Sequence, residues 1–196
     1  NDTYEKTIDT VLKSISIGPD IVRIYPTLVI KDTKLAMLYE AGIYHPLTID
    51  EAVKVSSEAA MLYKYAGVNI IRIGLQPTEN INEGADVLAG PFHPAFRQLV
   101  ETEIYKKYLE EIINKNNISN ELTIYTNHRN ISLIAGNNKA NKKYFYDRYK
   151  IKLNFKASDS DYILYEGTKI NLCLDKFIEN YVRENYGGDL LLNSKV

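Results

Sequence analysis

The chain has 196 residues, of which 45% are hydrophobic and 25% charged, enough for one good-sized domain or two small ones. A formal net charge of −1 excludes a polyanion binder by overall charge, and the lone cysteine, Cys173, excludes an internal disulfide or a cluster held by this chain's own thiolates. No apolar run reaches membrane-spanning length, so no membrane is expected as a partner, and a single thiol fits the cytoplasm.

Tyr4, Ile8, Val11, Leu12 and Ile15 have helical spacing, and Gly18-Pro19-Asp20 ends that helix. Ile21–Tyr25 reads as a buried strand, and the run Thr27–Ile30 continues past Pro26, which should break the ladder at the strand's end. Thr48 and Glu51 form a capping box for a helix whose small face is Ala52, Val53, Ser56, Ala59, Ala60 and Tyr63, with Gly67 as its stop. Val68–Ile73 is a second buried strand, ending at Gly74-Leu75-Gln76-Pro77. A loop to about Pro94 leads into a long helix carrying Phe96, Leu99, Val100, Ile104, Leu109, Ile112 and Ile113. Continuous apolar strands alternating with helices predict α/β architecture with a parallel sheet.

Beyond the Asn-rich joint at 114–120 the pattern changes. A strand at Leu122–Tyr125 precedes a short helix at Ile131–Ala135, a turn at Gly136–Lys139, and a helix at Asn141–Tyr149. An alternating strand at Ile151–Phe155, a hairpin around Glu166-Gly167 and a final helix stopping at Gly187-Gly188 complete a small α+β module. The expected domains are 1–117 and 118–196. Residues 119–156 hold eight basic and two acidic side chains, a local charge of +6 hidden inside the neutral total. Sixteen tyrosines against five phenylalanines and no tryptophan fit wet, polar-edged surfaces, or an AT-rich coding bias. The start, Asn1-Asp2-Thr3-Tyr4, is neither a signal peptide nor an initiating Met, and a processed or truncated chain is expected.

Arg23-Ile24-Tyr25-Pro26-Thr27-Leu28-Val29-Ile30-Lys31-Asp32-Thr33, with Leu35, Leu38, Gly42 and Tyr44 after it, resembles the later barrel segment of the Elongator catalytic subunit and its bacterial relatives, which are radical S-adenosylmethionine (radical SAM) proteins. Arg72-Ile73-Gly74-Leu75-Gln76-Pro77-Thr78 and Ala89-Gly90-Pro91-Phe92-His93-Pro94-Ala95-Phe96 resemble the bacterial branch more closely. The resemblance implies late strands and helices of a partial (β/α)₆ barrel. It also implies a three-cysteine motif holding a 4Fe–4S cluster, with S-adenosylmethionine on the fourth iron as the source of a 5′-deoxyadenosyl radical. This chain departs from that pattern, since Cys173 is alone. Cluster and cofactor are therefore expected in the intact protein and not in this chain by itself, and the missing N-terminal half of the barrel is an expected partner.

In parallel barrels ligands meet the C-terminal ends of strands, here Tyr25-Pro26-Thr27 and Gly74-Leu75-Gln76. By the resemblance the later strands flank adenosine. Tyr25, Thr27, Gly74, Leu75 and Gln76 are the candidate cofactor-binding residues, against the alternative that Pro26 and Pro77 merely end strands and Gln76 faces water. His93 either reaches substrate or caps the next helix, the second being favoured. His45 and His128 have no ligand at metal spacing, so no metal site and no catalytic residue is named. Arg23 and Arg72 share a sheet face, to pair with acids inside the barrel or to grip a carboxylate.

The second module resembles a KH domain, in which a G-x-x-G loop between two helices clamps a nucleic-acid backbone. Gly136 matches the first glycine and Lys139 replaces the second; Lys142, Lys143 and Arg148 extend the candidate nucleic-acid surface. The alternative is that Gly136 ends one helix, Asn141 caps another, and the lysines are a solvated face. The expected function is the C-terminal region of an Elongator-related radical SAM enzyme, with RNA modification as candidate activity and RNA (tRNA) as candidate partner, not catalytic alone. The alternatives are a nucleic-acid-binding accessory module and a coproporphyrinogen oxidase-like radical SAM protein.

Overall fold

In the computed structural model, which describes residues 3–77 and 86–187, the chain divides into two units. Thr78 and Gly188, named above, lie outside the described residues.

The first unit takes in Asn1–Val100 and Glu179–Val196. Helix α1 (Tyr4–Ile17) starts on Thr3, whose hydroxyl accepts from the Lys6 amide. It ends at Gly18, whose φ of 75° favours glycine. Strand β1 (Ile21–Ile24) and the short β2 (Val29–Ile30) follow. Helix α2 (Lys34–Glu40) is capped by Thr33, and α3 (Ile49–Tyr65) by the reciprocal Thr48–Glu51 capping box. Strands β3 (Asn69–Ile73) and β4 (Val87–Ala89) precede helix α4 (Phe96–Lys115), of which Phe96–Val100 fall in this unit.

β1 and β3 pair in parallel, Val22 opposite Ile70 and Ile24 opposite Ile73. A register shift lies between the Val22–Ile70 and Arg23–Arg72 pairs and leaves Ile71 as the extra residue of a bulge. α3 packs on both strands and on α1. Its small face is buried, and Ser14 Oγ meets Tyr63 OH at 2.6 Å between the two helices.

One expectation is corrected here. Neither strand is buried throughout: Ile21 is 56% and Ile71 41% exposed. α3 covers the face carrying Val22, Ile24, Ile70 and Ile73, while Ile21 shares the other with Arg23, Asn69 and Arg72, all exposed. The ladder of β1 stops before Pro26, as expected, and Val29–Ile30 beyond it pairs antiparallel with β4. Helix α2 and strand β4 had not been anticipated.

The end of the chain returns to this unit. Glu58 on α3 is 2% exposed, and its carboxylate accepts from Tyr181 OH at 2.8 Å and Tyr186 OH at 3.0 Å. Glu179 onward therefore groups with the first unit, and the second begins at Glu101, where the sequence had suggested a single joint at 117/118.

The second unit, Glu101–Ile178, contains β5 (Glu121–Thr126), α5 (His128–Ala135), a 3₁₀ turn (Asn137–Lys139), α6 (Ala140–Tyr149), β6 (Lys152–Ala157), β7 (Tyr162–Tyr165), β8 (Thr168–Asn171) and the start of α7 (Leu174–Tyr186). The sheet order is β6-β5-β7-β8, with β5 and β6 parallel and the other neighbours antiparallel. The parallel pair requires a crossover, which α5 and α6 supply. Leu122, Ile124, Leu153 and Ile163 fill the core with Ile134 and Phe145, each at most 2% exposed.

Candidate functional site

The parallel pairing brings the C-terminal ends of β1 and β3 side by side, and the Gly74 amide donates to the Ile24 carbonyl at 2.8 Å. Gly74 has a φ of 77°, and an added Cβ would lie 2.7 Å from the Cβ of Phe96. Glycine here is fixed by packing within the unit, since Phe96 fills the space a side chain would need. Gly74 and Leu75 line a shallow hollow with Pro26, Leu28, Phe92 and His93, with a free volume of about 10 Å³, room for about one water. Sites that enclose a drug-sized ligand run to roughly 300–1,000 Å³, so this hollow encloses no such ligand by itself.

Of the five candidate cofactor residues, Gly74 and Leu75 line the hollow. Tyr25, Thr27 and Gln76 are exposed and do not line it. Phe92 and Leu28 were missed, because their place depends on the loop folding back over the strand ends. The Nδ1 of His93 accepts the Ala95 amide at 3.0 Å, so the ring closes the turn ahead of α4. Arg23 and Arg72 are cross-strand partners and both exposed. Adjacent like charges are unfavourable and need an anion or solvent between them.

In the second unit Gly136 is buried, with φ 84° and ψ 159°. A Cβ there would lie 2.8 Å from the Asn141 amide nitrogen. Asn138 and Lys139 follow in left-handed conformations, φ 50° and 61°. Lys139 thus adopts a backbone shape that favours glycine. Asn141 does not cap α6. Its amide is buried, and Nδ2 donates to the carbonyls of Thr102 and Ile134, both at 3.0 Å.

Lys139 and Lys143 are exposed, while Lys142 is half-buried with its ammonium 5.5 Å from the Phe155 ring. Arg148 lies five residues beyond Lys143 on α6, roughly 140° around the helix. It is therefore off the lysine stripe, and packs on the Tyr149 ring at 5.5 Å. Hydrogen bonding to Tyr149 raises its pKa further, with nearby Tyr144 adding to the effect.

Three tyrosine hydroxyls in this unit are held neutral. Burial pushes Tyr105 up to about 12, with the Asp161 charge adding to it. Burial also raises Tyr144, which donates to Glu110 at 2.5 Å, and Tyr108, whose hydroxyl accepts the Cys173 amide at 2.6 Å.

Residues 19–106 match the family model described as Radical_SAM C-terminal domain. The match covers β1, β3, the hollow and the helices around them, and it supports reading this stretch as a radical SAM C-terminal portion. No curated protein and no solved structure matches the chain.

Radical SAM proteins carry a 4Fe–4S cluster and S-adenosylmethionine in their intact form. The residues present do not fit the cluster. One cysteine cannot supply three thiolates, and among the described residues no group of three or more His, Cys, Asp or Glu could hold a metal ion. No helix among them is long and apolar enough to cross a membrane.

Proposed function

We propose that this chain supplies late strands and a C-terminal module to a cytoplasmic radical SAM enzyme of the Elongator-related type, whose cluster cysteines lie on polypeptide outside it. One observation carries the reading: two parallel strands within the matched segment have a helix on one face only, leaving Ile21 and the bulge residue Ile71 exposed beside Arg23 and Arg72. Burying Ile21 and Ile71 gains roughly 25 cal/mol per Å² of apolar surface, and further parallel strands with their helices would do so while supplying acids to pair with Arg23 and Arg72.

On this reading Gly74 and Leu75, with Pro26, Phe92 and His93, wall the adenosine end of the cofactor site, and Tyr25, Thr27 and Gln76 form its rim. The chain's own residues orient and exclude water; the cluster half does the chemistry. The test is anaerobic reconstitution of the intact protein. It is expected to bind about four irons per chain and to cleave S-adenosylmethionine when reduced, while this chain alone does neither. An intact protein without a cluster would overturn the proposal.

A second reading, RNA binding at the KH-like loop, draws on the left-handed backbone of Lys139 at the position of the second glycine. Gly136, Lys139, Lys142 and Lys143 would meet the phosphates, with Arg148 outside the stripe. Lys139→Glu with Lys142→Glu is expected to abolish salt-sensitive RNA binding, tRNA being the first ligand to try. Unchanged binding would remove the loop from the account.

A further inference from the structure

The sheet of the second unit has two unlike faces. On one, Leu122, Ile124, Thr126, Leu153 and Ile163 are each at most 2% exposed. On the other, reached by the alternate residues of the same strands, no side chain is buried. Phe155 belongs to the covered side, under Lys142 of α6, so its neighbour Lys156 faces the open one.

Cross-strand register builds a ladder on that open face. Lys156 on β6 is opposite Tyr125 on β5, which is opposite Tyr162 on β7. The two tyrosine rings stack with centroids 4.5 Å apart and planes 6° from parallel. The Lys156 ammonium lies 5.6 Å from the Tyr125 centroid, and Lys169 of β8 lies 4.2 Å from that of Tyr162. Leu164 on the same face is 37% exposed. The acid on this face, Glu121, stands at the far end of β5 and is held by Asn154 Nδ2 at 3.3 Å.

We propose that this face binds single-stranded nucleic acid, with bases stacked at Tyr125 and Tyr162 and phosphates neutralised by Lys156 and Lys169. Stacking on an aromatic ring serves every base, because each has a π-face. Single strands offer unstacked bases, whereas a duplex hides them. Each lysine already sits over the outer side of a ring. A base sliding onto that side displaces the ammonium toward the phosphate beside it, so one cation serves the free and the bound state. Four-stranded sheets bearing aromatics on an open face stack two or three bases in other single-strand binders. The ladder lies on the face away from α6, and this inference stands independently of the Gly136 loop.

The test is fluorescence anisotropy of the full chain with labelled ten-nucleotide oligo(U) and oligo(dT), and a labelled duplex, at low and moderate potassium chloride. Either single strand, or both, is expected to bind at least tenfold more tightly than the duplex. Tyr125→Leu with Tyr162→Leu is expected to weaken binding by about a hundredfold, roughly tenfold per ring. Lys156→Glu with Lys169→Glu leaves the exposed positions foldable, and circular dichroism checks this. It is expected to lower the salt slope by about 1.4, roughly 0.7 per phosphate contact. The proposal falls if neither single strand binds at low salt, if the duplex binds equally well, or if the Lys156/Lys169 variant binds like the parent. Binding lost only in the Lys139/Lys142 variant would assign it to the loop and also overturn the proposal.

Discussion

Asn141→Asp exchanges an NH₂ group for an oxygen, yet it is expected to destabilise the second unit more than Asn141→Ala at neutral pH. The Asn141 side chain is 3% exposed and donates to the carbonyls of Thr102 and Ile134 at 3.0 Å each. Ile134 lies in the last turn of α5, where carbonyls lack a helical partner, so the side-chain amide is a substantial share of what it has. Alanine removes two bonds worth roughly 1 kcal/mol each and leaves a buried carbonyl unsatisfied at about 1–3 kcal/mol, so a loss of about 2–4 kcal/mol is expected. Aspartate instead turns an acceptor toward two acceptors and buries a charge. Its folded-state pKa must rise above the unfolded value of roughly 3.9. Stability is then lost as pH rises through the folded pKa and recovered as pH falls, since the protonated acid donates to one of the two carbonyls. Urea unfolding followed by circular dichroism at several pH values between 4 and 7.5 measures this. An aspartate variant as stable as the alanine variant at neutral pH, with no gain on acidification, would refute the claim that the amide's donor pair holds this loop.

Gly74→Ala is expected to lower the melting temperature far more than Gly18→Ala. Both glycines have positive φ, costing on the order of 1 kcal/mol, but only at Gly74 does the new Cβ meet Phe96, while at Gly18 nothing lies within 4 Å. Stability is also expected to fall at alkaline pH. Tyr105 is pushed up to about 12 by burial, and Tyr144 and Tyr186 are also raised, against roughly 10 in the unfolded chain. Their contribution is whole below pH 10 and is lost as pH climbs through the folded values; Tyr105→Phe should flatten the decline seen by denaturant titration.

Local chemistry explains what was legible in the sequence. The Thr48–Glu51 box is a three-residue signal and forms as read, and the small face of α3 is buried because its spacing is helical. Helix α2 escaped notice because seven residues with only Ala36 buried leave no periodic stripe. β4 has three residues and a partner almost sixty positions earlier, a pairing no local pattern encodes. Apolar runs at β1 and β3 read as buried strands, but Arg23 and Arg72 within them share one face, which stays exposed among the described residues. Asn141 looked like a cap because a helix starts beside it; its role depends on Thr102, thirty-nine residues away. The Tyr125–Tyr162 stack likewise requires the register of β5 with β7, which alternation alone does not give.

The claim that β1 and β3 are inner staves of a larger barrel is tested most directly by amide hydrogen exchange at Ile21–Ile24 and Asn69–Ile73. The comparison is between the chain alone and the chain joined to the polypeptide proposed to complete it. The account expects at least a hundredfold slower exchange at the outward-facing amides of a strand that gains a neighbour. Identical rates in the two forms would contradict it.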